Sequence, residues 1–201
     1  MNKKDILKIY SINTKQEETF DKYIELLGDY CKHTNLVGKS TLSNPWKNHI
    51  LDSLQILPFL ENKNYEILDM GTGAGFPGSI LSIAGCKNVT LIDSNGKKIN
   101  FLKIVKKKLN LKTNIVLGRI ENLNNLKFDI ITSRALANLN KLLSYSQKFI
   151  KKNTLLIFLK GKTVNEEIED AKKFWKFDLK KNQSVSDSRG SLIFIENLKK
   201  I

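Results

Sequence analysis

The segment Tyr65-Glu66-Ile67-Leu68-Asp69-Met70-Gly71-Thr72-Gly73-Ala74-Gly75-Phe76-Pro77-Gly78 restricts the fold of this chain more than any other. It reads as an apolar strand running into a glycine turn and then a helix. Glycines allow a sharp bend and let backbone approach a ligand closely. The helix start that follows offers N–H groups to an anion such as a carboxylate. A glycine loop by itself is also what a plain tight turn looks like. Two known loops are excluded. A dinucleotide fingerprint requires a small residue where Phe76 stands, and no Lys-Ser/Thr pair follows, so it is not a P-loop.

From Tyr65 onward short apolar runs alternate with helical patterns. The runs predict strands over 65–69, 88–92, 113–117, 128–133, 154–159, 174–179 and 192–196, with helices over 97–109, 139–149 and 164–173. Such alternation predicts a largely parallel sheet covered on both faces. No helix separates the last two strands, which are expected to form an antiparallel hairpin. Ligands of such sheets bind outside the carboxyl ends of the strands.

The first 60 residues read as helical instead. Thr14-Lys15-Gln16-Glu17 has the form of a capping box, and Phe20, Tyr23, Ile24, Leu27, Tyr30 and Cys31 recur at helical spacing. Asn44-Pro45 reads as an N-cap with a first-turn proline. It opens a second helix expected to reach Leu57, with Pro58 helping to end it. The expected organisation is a helical lobe over 1–61 and a sheet domain over 62–201, forming one compact unit.

Three acidic positions fall at strand ends. Asp69 precedes the glycine loop, poorly placed for a pyrophosphate and well placed for an amino-bearing cation; S-adenosylmethionine carries an ammonium and a sulfonium. Asp93 ends the second strand, roughly 20 positions past the first glycine, where ribose hydroxyls are usually accepted. Ile120-Glu121 follows the third strand, an apolar residue for an adenine face beside an acid for its edge. One element per strand–helix unit, in order, points to cofactor binding by Gly71, Gly73, Gly75, Asp69, Asp93, Ile120 and Glu121.

With 34 basic and 20 acidic residues the net charge is +14. That balance favours a polyanionic partner, either nucleic acid or an anionic membrane. The rival source of the charge is a compositional bias, since the chain is crowded with Lys, Asn and Ile, and nucleic acid is the stronger reading of the two. Only three of the basic residues are arginines: Arg119, Arg134 and Arg189. A chain that uses lysine nearly everywhere keeps arginine where a planar fork is needed. Lys106-Lys107-Lys108 reads as a solvated helix face, and Trp46 and Trp175 as core or rim. Cys31 and Cys86 are too few for a disulfide framework and lack metal-ligand spacing, so they are expected to be buried, reduced thiols of a cytoplasmic protein. No metal is expected. No apolar run is long enough for a membrane helix, and the opening residues lack the apolar centre of a signal peptide.

The fourth strand ends Ile131-Thr132-Ser133-Arg134-Ala135-Leu136, without the Asn/Asp-Pro-Pro-aromatic pattern of enzymes that methylate exocyclic amines. Neither cysteine is placed for attack on a pyrimidine C5. The acceptor is therefore expected to be nucleophilic without covalent help. At this point the chain closely resembles the RsmG (GidB) family. The resemblance rests on Asn48-His49-Ile50-Leu51-Asp52-Ser53, the 69–78 glycine loop, Leu91-Ile92-Asp93-Ser94, Ser133-Arg134-Ala135 and Leu159-Lys160-Gly161.

It implies a Rossmann-like S-adenosylmethionine-dependent methyltransferase fold, α/β, with a seven-stranded mostly parallel sheet and an N-terminal helical lobe. It also implies methyl transfer to guanine N7 of 16S ribosomal RNA. Cofactor contacts are implied at Gly71, Phe76, Ile120, Glu121 and Arg134, and substrate-side positioning roles for Arg119, Arg134 and Arg189. His49 and Asp52 lie on one helix face, either a buried polar pair or, as the resemblance suggests, the mouth of the pocket. Lys160-Gly161 is either a turn or an RNA contact. Two departures stand out: Asn48, where the family often carries Arg, and a short segment before Arg189. Guanine N7 has an in-plane lone pair and no proton at neutral pH, so no general base is expected, only positioning and exclusion of water. The expected partner is 16S rRNA or a small-subunit particle, and the expected state a monomer. An enzyme acting on another acceptor, or a non-catalytic RNA-binding factor, are the rival readings.

Overall fold

Seven strands form a single sheet in a computed structural model that describes residues 1–123 and 126–201. They are β1 (Glu66–Met70), β2 (Asn88–Asp93), β3 (Asn114–Leu117), β4 (Phe128–Arg134), β5 (Ile150–Lys160), β6 (Trp175–Gln183) and β7 (Ser191–Lys200). The spatial order is β3-β2-β1-β4-β5-β7-β6. β1 to β5 pair in parallel, and β7 runs antiparallel between β5 and β6. The parallel sheet and the terminal hairpin both follow the sequence expectation. Winding reverses at β1, whose Leu68 is flanked by Thr90 of β2 and Ile131 of β4. The crevice at that reversal is where a sheet of this type receives a ligand.

Strand ends differ from expectation where polar residues pair. β5 begins at Ile150 rather than 154 because it carries a bulge: Phe128 pairs with Ile150, but Ile130 pairs with Leu155. Thr154 makes this tolerable. Its hydroxyl donates to Phe128 O at 2.7 Å and accepts from Lys151 N at 2.9 Å. β6 and β7 run on through polar residues to Gln183 and Lys200, at the sheet edge where side chains face water.

The helices are α1 (Lys3–Ile9), α2 (Thr14–Cys31), α3 (Asp52–Leu54), α4 (Gly78–Ile83), α5 (Gly96–Leu109), α6 (Leu139–Ser146) and α7 (Val164–Lys172). The cap of α2 is Asn13, one residue before the expected Thr14. Asn13 Oδ1 accepts from Gln16 N at 2.9 Å, and Gln16 Oε1 accepts from Asn13 N at 3.0 Å. Asparagine is the stronger N-cap, so it takes the position. The expected helix to Leu57 is not regular. Asn44 does cap it, accepting from Lys47 N at 3.1 Å. A π-helical turn then covers Trp46–Leu51, α3 follows, and a 3-10 turn holds Leu57–Phe59 with Pro58 inside it.

Alternation along each strand sends Ile67 to one face and Leu68 to the other. On the first face Phe20, Tyr23 and Leu27 of α2, and Ile50 and Leu54 of the π/α segment, join Ile67, Leu91 and Phe101 in one cluster. The helical lobe therefore shares its core with the sheet. On the second face α6 and α7 bury Leu139, Leu143 and Ile168 against Leu68, Ile131 and Phe158. Cys86 is buried and Cys31 half-buried, both as thiols. Among the described residues, no helix is long and apolar enough to cross a membrane.

Candidate functional site

The loop between β1 and α4 is shaped from below. Asp69 is fully buried. Its Oδ2 accepts from the Thr72 hydroxyl at 2.6 Å and from Gly78 N at 3.0 Å, and its Oδ1 accepts from the Thr132 hydroxyl at 3.0 Å. Burial pushes the carboxyl up to about 6, while these hydrogen bonds and Arg134 pull it back. This corrects the expectation that Asp69 meets a ligand. Its acceptor sites face inward, and they fix the loop. From the lobe, the Tyr23 hydroxyl donates to Ala74 O at 2.6 Å.

Two glycines of the loop do different work. Gly75, at φ +90°, has no room for a Cβ, which would run into the Tyr23 and Ser79 hydroxyls. Gly73, at φ +59°, faces open space, with no atom nearer than 3.9 Å to where a Cβ would stand. It lines a cleft of about 310 Å³ between the lobe and the carboxyl edge of the sheet. Gly71, Phe76, Arg134, His49 and Lys98 line it too. That size is at the lower end of the range for small-molecule sites.

Asp93 stands beside the cleft, 8 % exposed. It accepts from Gly73 N at 2.9 Å and from Asn95 N at 2.8 Å, with Lys98 Nζ at 3.8 Å. A carboxylate offers about four acceptor sites, so capacity remains for hydroxyls. Ile120 is 7 % exposed and packs into the second core face, at the end of β3. Glu121 is exposed, and a hydrogen bond with its own backbone, helped by Tyr145 and Arg119, holds its carboxyl below the usual range. Asp93, Ile120 and Glu121 thus lie along the strand ends, outside the cleft lining.

Arg134, the last residue of β4, ties the lobe to the sheet. Its Nη1 donates to Asp52 Oδ2 at 2.8 Å and to Asn48 O at 3.1 Å. Its Nη2 lies 3.1 Å from His49 Nδ1. A guanidinium only donates, so Nδ1 accepts and the imidazole proton sits on Nε2. Nε2 then donates to the Thr41 hydroxyl at 2.9 Å, which donates to Gly38 O at 2.7 Å. Burial, and then Arg134, push the His49 imidazole down to about 3. It is neutral, 2 % exposed, and stacked on Phe76 at 4.5 Å and 12°. The Arg134 guanidinium lies 5.0 Å from the centre of that ring. The π-helical turn, with the first residue of α3 that follows it, brings Asn48, His49 and Asp52 to the same guanidinium.

The remaining expected residues divide. Lys160 is a correction. Its ammonium is turned inward, onto Glu167 at 2.5 Å and Ala137 O at 2.9 Å, and Glu167 also accepts from Leu139 N at 2.7 Å. It braces the turn from β4 into α6 rather than facing outward. Arg189 lies on the β6–β7 loop, exposed, its fork on Asp187. Arg119 is exposed between β3 and Ile120. Sequence reasoning missed Thr41, Gln55 and Ser186. They are common polar residues outside any motif; Gln55 reaches Asp52 from three residues on, whereas the fold brings Thr41 to His49 and Ser186 to Asp52.

A family model described as GidB, rRNA small subunit methyltransferase G, matches residues 16–193 of this chain. The ribosomal RNA small subunit methyltransferase G of Orientia tsutsugamushi (strain Ikeda) is 41 % identical over 193 residues, 96 % of each chain. Among solved structures, the ribosomal protein L11 methylase of Lactobacillus delbrueckii subsp. bulgaricus gives a TM-score of 0.60 at 20 % identity, covering 73 % of this chain and 76 % of that one. TYW2 of M. jannaschii, solved in complex with AdoMet, gives 0.55 at 17 % identity, covering 73 % and 74 %. At those identities the structural likeness speaks for the fold alone.

Proposed function

Because this chain belongs to the GidB family of rRNA small subunit methyltransferases, we propose that it transfers the methyl group of S-adenosylmethionine to N7 of a guanine in 16S ribosomal RNA. The cofactor supplies an electrophilic methyl group on a sulfonium. The open face of Gly73 leaves a cradle that a Cβ would fill, a form suited to the cofactor's amino-acid end. Asp93 retains acceptor capacity for ribose hydroxyls, and Ile120 with Glu121 offers a face and an edge for adenine.

The observation that carries the choice of acceptor is the chemistry of the cleft lining. Among the described residues it contains no carboxylate and no thiol. Its one imidazole is neutral, with Nδ1 accepting from Arg134 and Nε2 donating to Thr41. Nothing there is disposed to take a proton. Guanine N7 needs no base, whereas an exocyclic amine must lose a proton. The protein's contribution is then to align the acceptor with the methyl group and keep water out. Arg119 and Arg189 are exposed forks suited to hold guanine O6 or a neighbouring phosphate, Arg189 by exchanging its contact with Asp187. The +14 charge supports a polyanionic substrate, either rRNA or a small-subunit particle.

Methylation at N7 puts a positive charge on the imidazole ring, which makes the ring open to reduction. Ribosomal RNA treated with enzyme and cofactor should be cleaved at one guanine by borohydride and aniline. Untreated rRNA from cells lacking this protein should resist. Labelled methyl recovered as a 2′-O-methyl or amine-methyl nucleoside, with no such cleavage, would overturn the N7 assignment.

A further inference from the structure

The β6–β7 loop, residues 184–190, carries Arg189 on an exposed tip, yet two of its serines are buried. Ser184 is 9 % and Ser186 7 % exposed, while Val185 between them is 51 % exposed. The buried hydroxyls point at the lobe. Ser186 Oγ lies 2.5 Å from Asp52 Oδ1. A carboxylate only accepts, so Ser186 donates, and it accepts in turn from Ser184 Oγ at 2.9 Å. Gln55, 4 % exposed, makes the second attachment. Its Nε2 donates to Asp52 Oδ1 at 2.9 Å, and its Oε1 accepts from Val185 N at 3.0 Å. The other carboxylate oxygen, Oδ2, is the one that accepts from Arg134. The hydrogen bonds run in one direction from each side into Asp52, which thus joins the loop to the guanidinium at the cleft.

Asp187 and Arg189 complete the loop. Ser184 N donates to Gly190 O at 3.0 Å and Gly190 N to Asp187 O at 2.9 Å, closing it on itself. Those bonds set its internal shape. Its two ends are held by the pairing of Gln183 with Ser191 and of Ser191 with Lys160, and Gln55 and Asp52 tie its middle to the lobe.

We propose that Ser186 and Gln55 are positioning residues, which latch the β6–β7 loop to Asp52 and so hold Arg189 at a set place relative to Arg134 and the cleft it lines. The latch belongs to the same site as the rRNA methylation proposed above, and its effect on turnover rests on that reading. Its effect on the loop does not.

Ser186→Ala removes the donor and leaves Gln55, Asp52 and Arg134 in place. Hydrogen exchange read by mass spectrometry on the peptide covering 184–190 should speed up by about tenfold, the scale of a lost hydrogen bond to a charged group. Exchange in β1 and β4 should not change. With rRNA as substrate, KM should rise about tenfold while kcat and the affinity for S-adenosylmethionine stay within about twofold. Ser186→Thr keeps the hydroxyl and should restore both readouts. Combined with Arg189→Lys, Ser186→Ala should add little further loss, because the two act through one loop. Unchanged exchange in Ser186→Ala overturns the latch. Faster exchange with unchanged KM overturns its role in positioning Arg189. A wild-type protein that fails to methylate rRNA removes the acceptor assignment, and the exchange comparison still decides the latch.

Discussion

His49 and Asp69 both pack against the glycine loop, and burial drives each toward its uncharged form. Their effects on stability have opposite signs. The folded pKa of His49, about 3, lies below its ordinary 6.5. Below pH 6.5 the unfolded chain holds the extra proton, so stability present above 6.5 is lost as pH falls toward 3. The folded pKa of Asp69, about 6, lies above its ordinary 3.8. There the folded chain holds the extra proton, so stability present below 3.8 is lost as pH rises through 6. Between those limits each slope approaches about 1.4 kcal/mol per pH unit, and the two oppose one another. His49→Asn should remove the first slope and leave the second. Relative to wild type, its unfolding free energy from urea melts should rise by roughly 2 kcal/mol between pH 6 and pH 4. Curves that stay parallel over that range would mean that His49 is not held neutral.

At the scale of elements, the loop from β1 to α4 separates two requirements that a glycine run cannot distinguish by itself. Gly75 is needed for packing against α2, and Gly73 for an open cradle. Gly75→Ala drives a Cβ into the Tyr23 and Ser79 hydroxyls and to 2.9 Å from Leu102 Cδ2, at a φ of +90°. It should cost about 2–4 kcal/mol of stability. Gly73→Ala costs about 1 kcal/mol of backbone strain and meets nothing closer than 3.9 Å. It should fold, yet bind S-adenosylmethionine more weakly by roughly tenfold or more, because the methyl enters the cleft. Thermal melts and calorimetry on the pair check this. A Gly73 variant with normal affinity would move the cofactor away from the loop. The π-helical turn at Trp46–Leu51 shows the same economy. The wide turn aims a main-chain carbonyl and an imidazole at one guanidinium, and the residue just after it adds a carboxylate; such turns concentrate at functional sites.

At the scale of the molecule, charge and core are arranged independently. The core joins the lobe to one face of the sheet, and it contains none of the 34 basic side chains among its buried residues. The net charge of +14 is therefore carried at the surface and at the cleft, where it attracts phosphates. Affinity for rRNA should fall steeply with salt, because bound Lys and Arg displace counterions. Between 50 mM and 200 mM salt a loss of roughly tenfold or more is expected in filter binding. A flat dependence would point to a small or uncharged acceptor.

Much of this protein is local in origin and therefore legible in the sequence. Strand–glycine–helix order, apolar alternation and the missing helix before β7 are properties of neighbouring residues, and they were enough for the parallel sheet and its terminal hairpin. The acidic residue closing β2 was legible for the same reason, since strand ends are local. What each polar group faces is not local. Asp69 has the sequence context of a ligand contact, and its inward placement depends on Thr72, Gly78 and Thr132 closing around it. Lys160 has the context of an RNA contact, and α7 supplies Glu167 to turn it inward. Arg134 is marked as special by its rarity, but its three partners come from a turn some 85 residues away in sequence, its separation from His49. Ser186 has no mark at all, and it lies 134 residues from Asp52. Hydrophobic patterning repeats along the chain and can be read from it. A hydrogen bond between distant side chains needs only two common residues and the fold that brings them together, so the sequence carries no periodic trace of it.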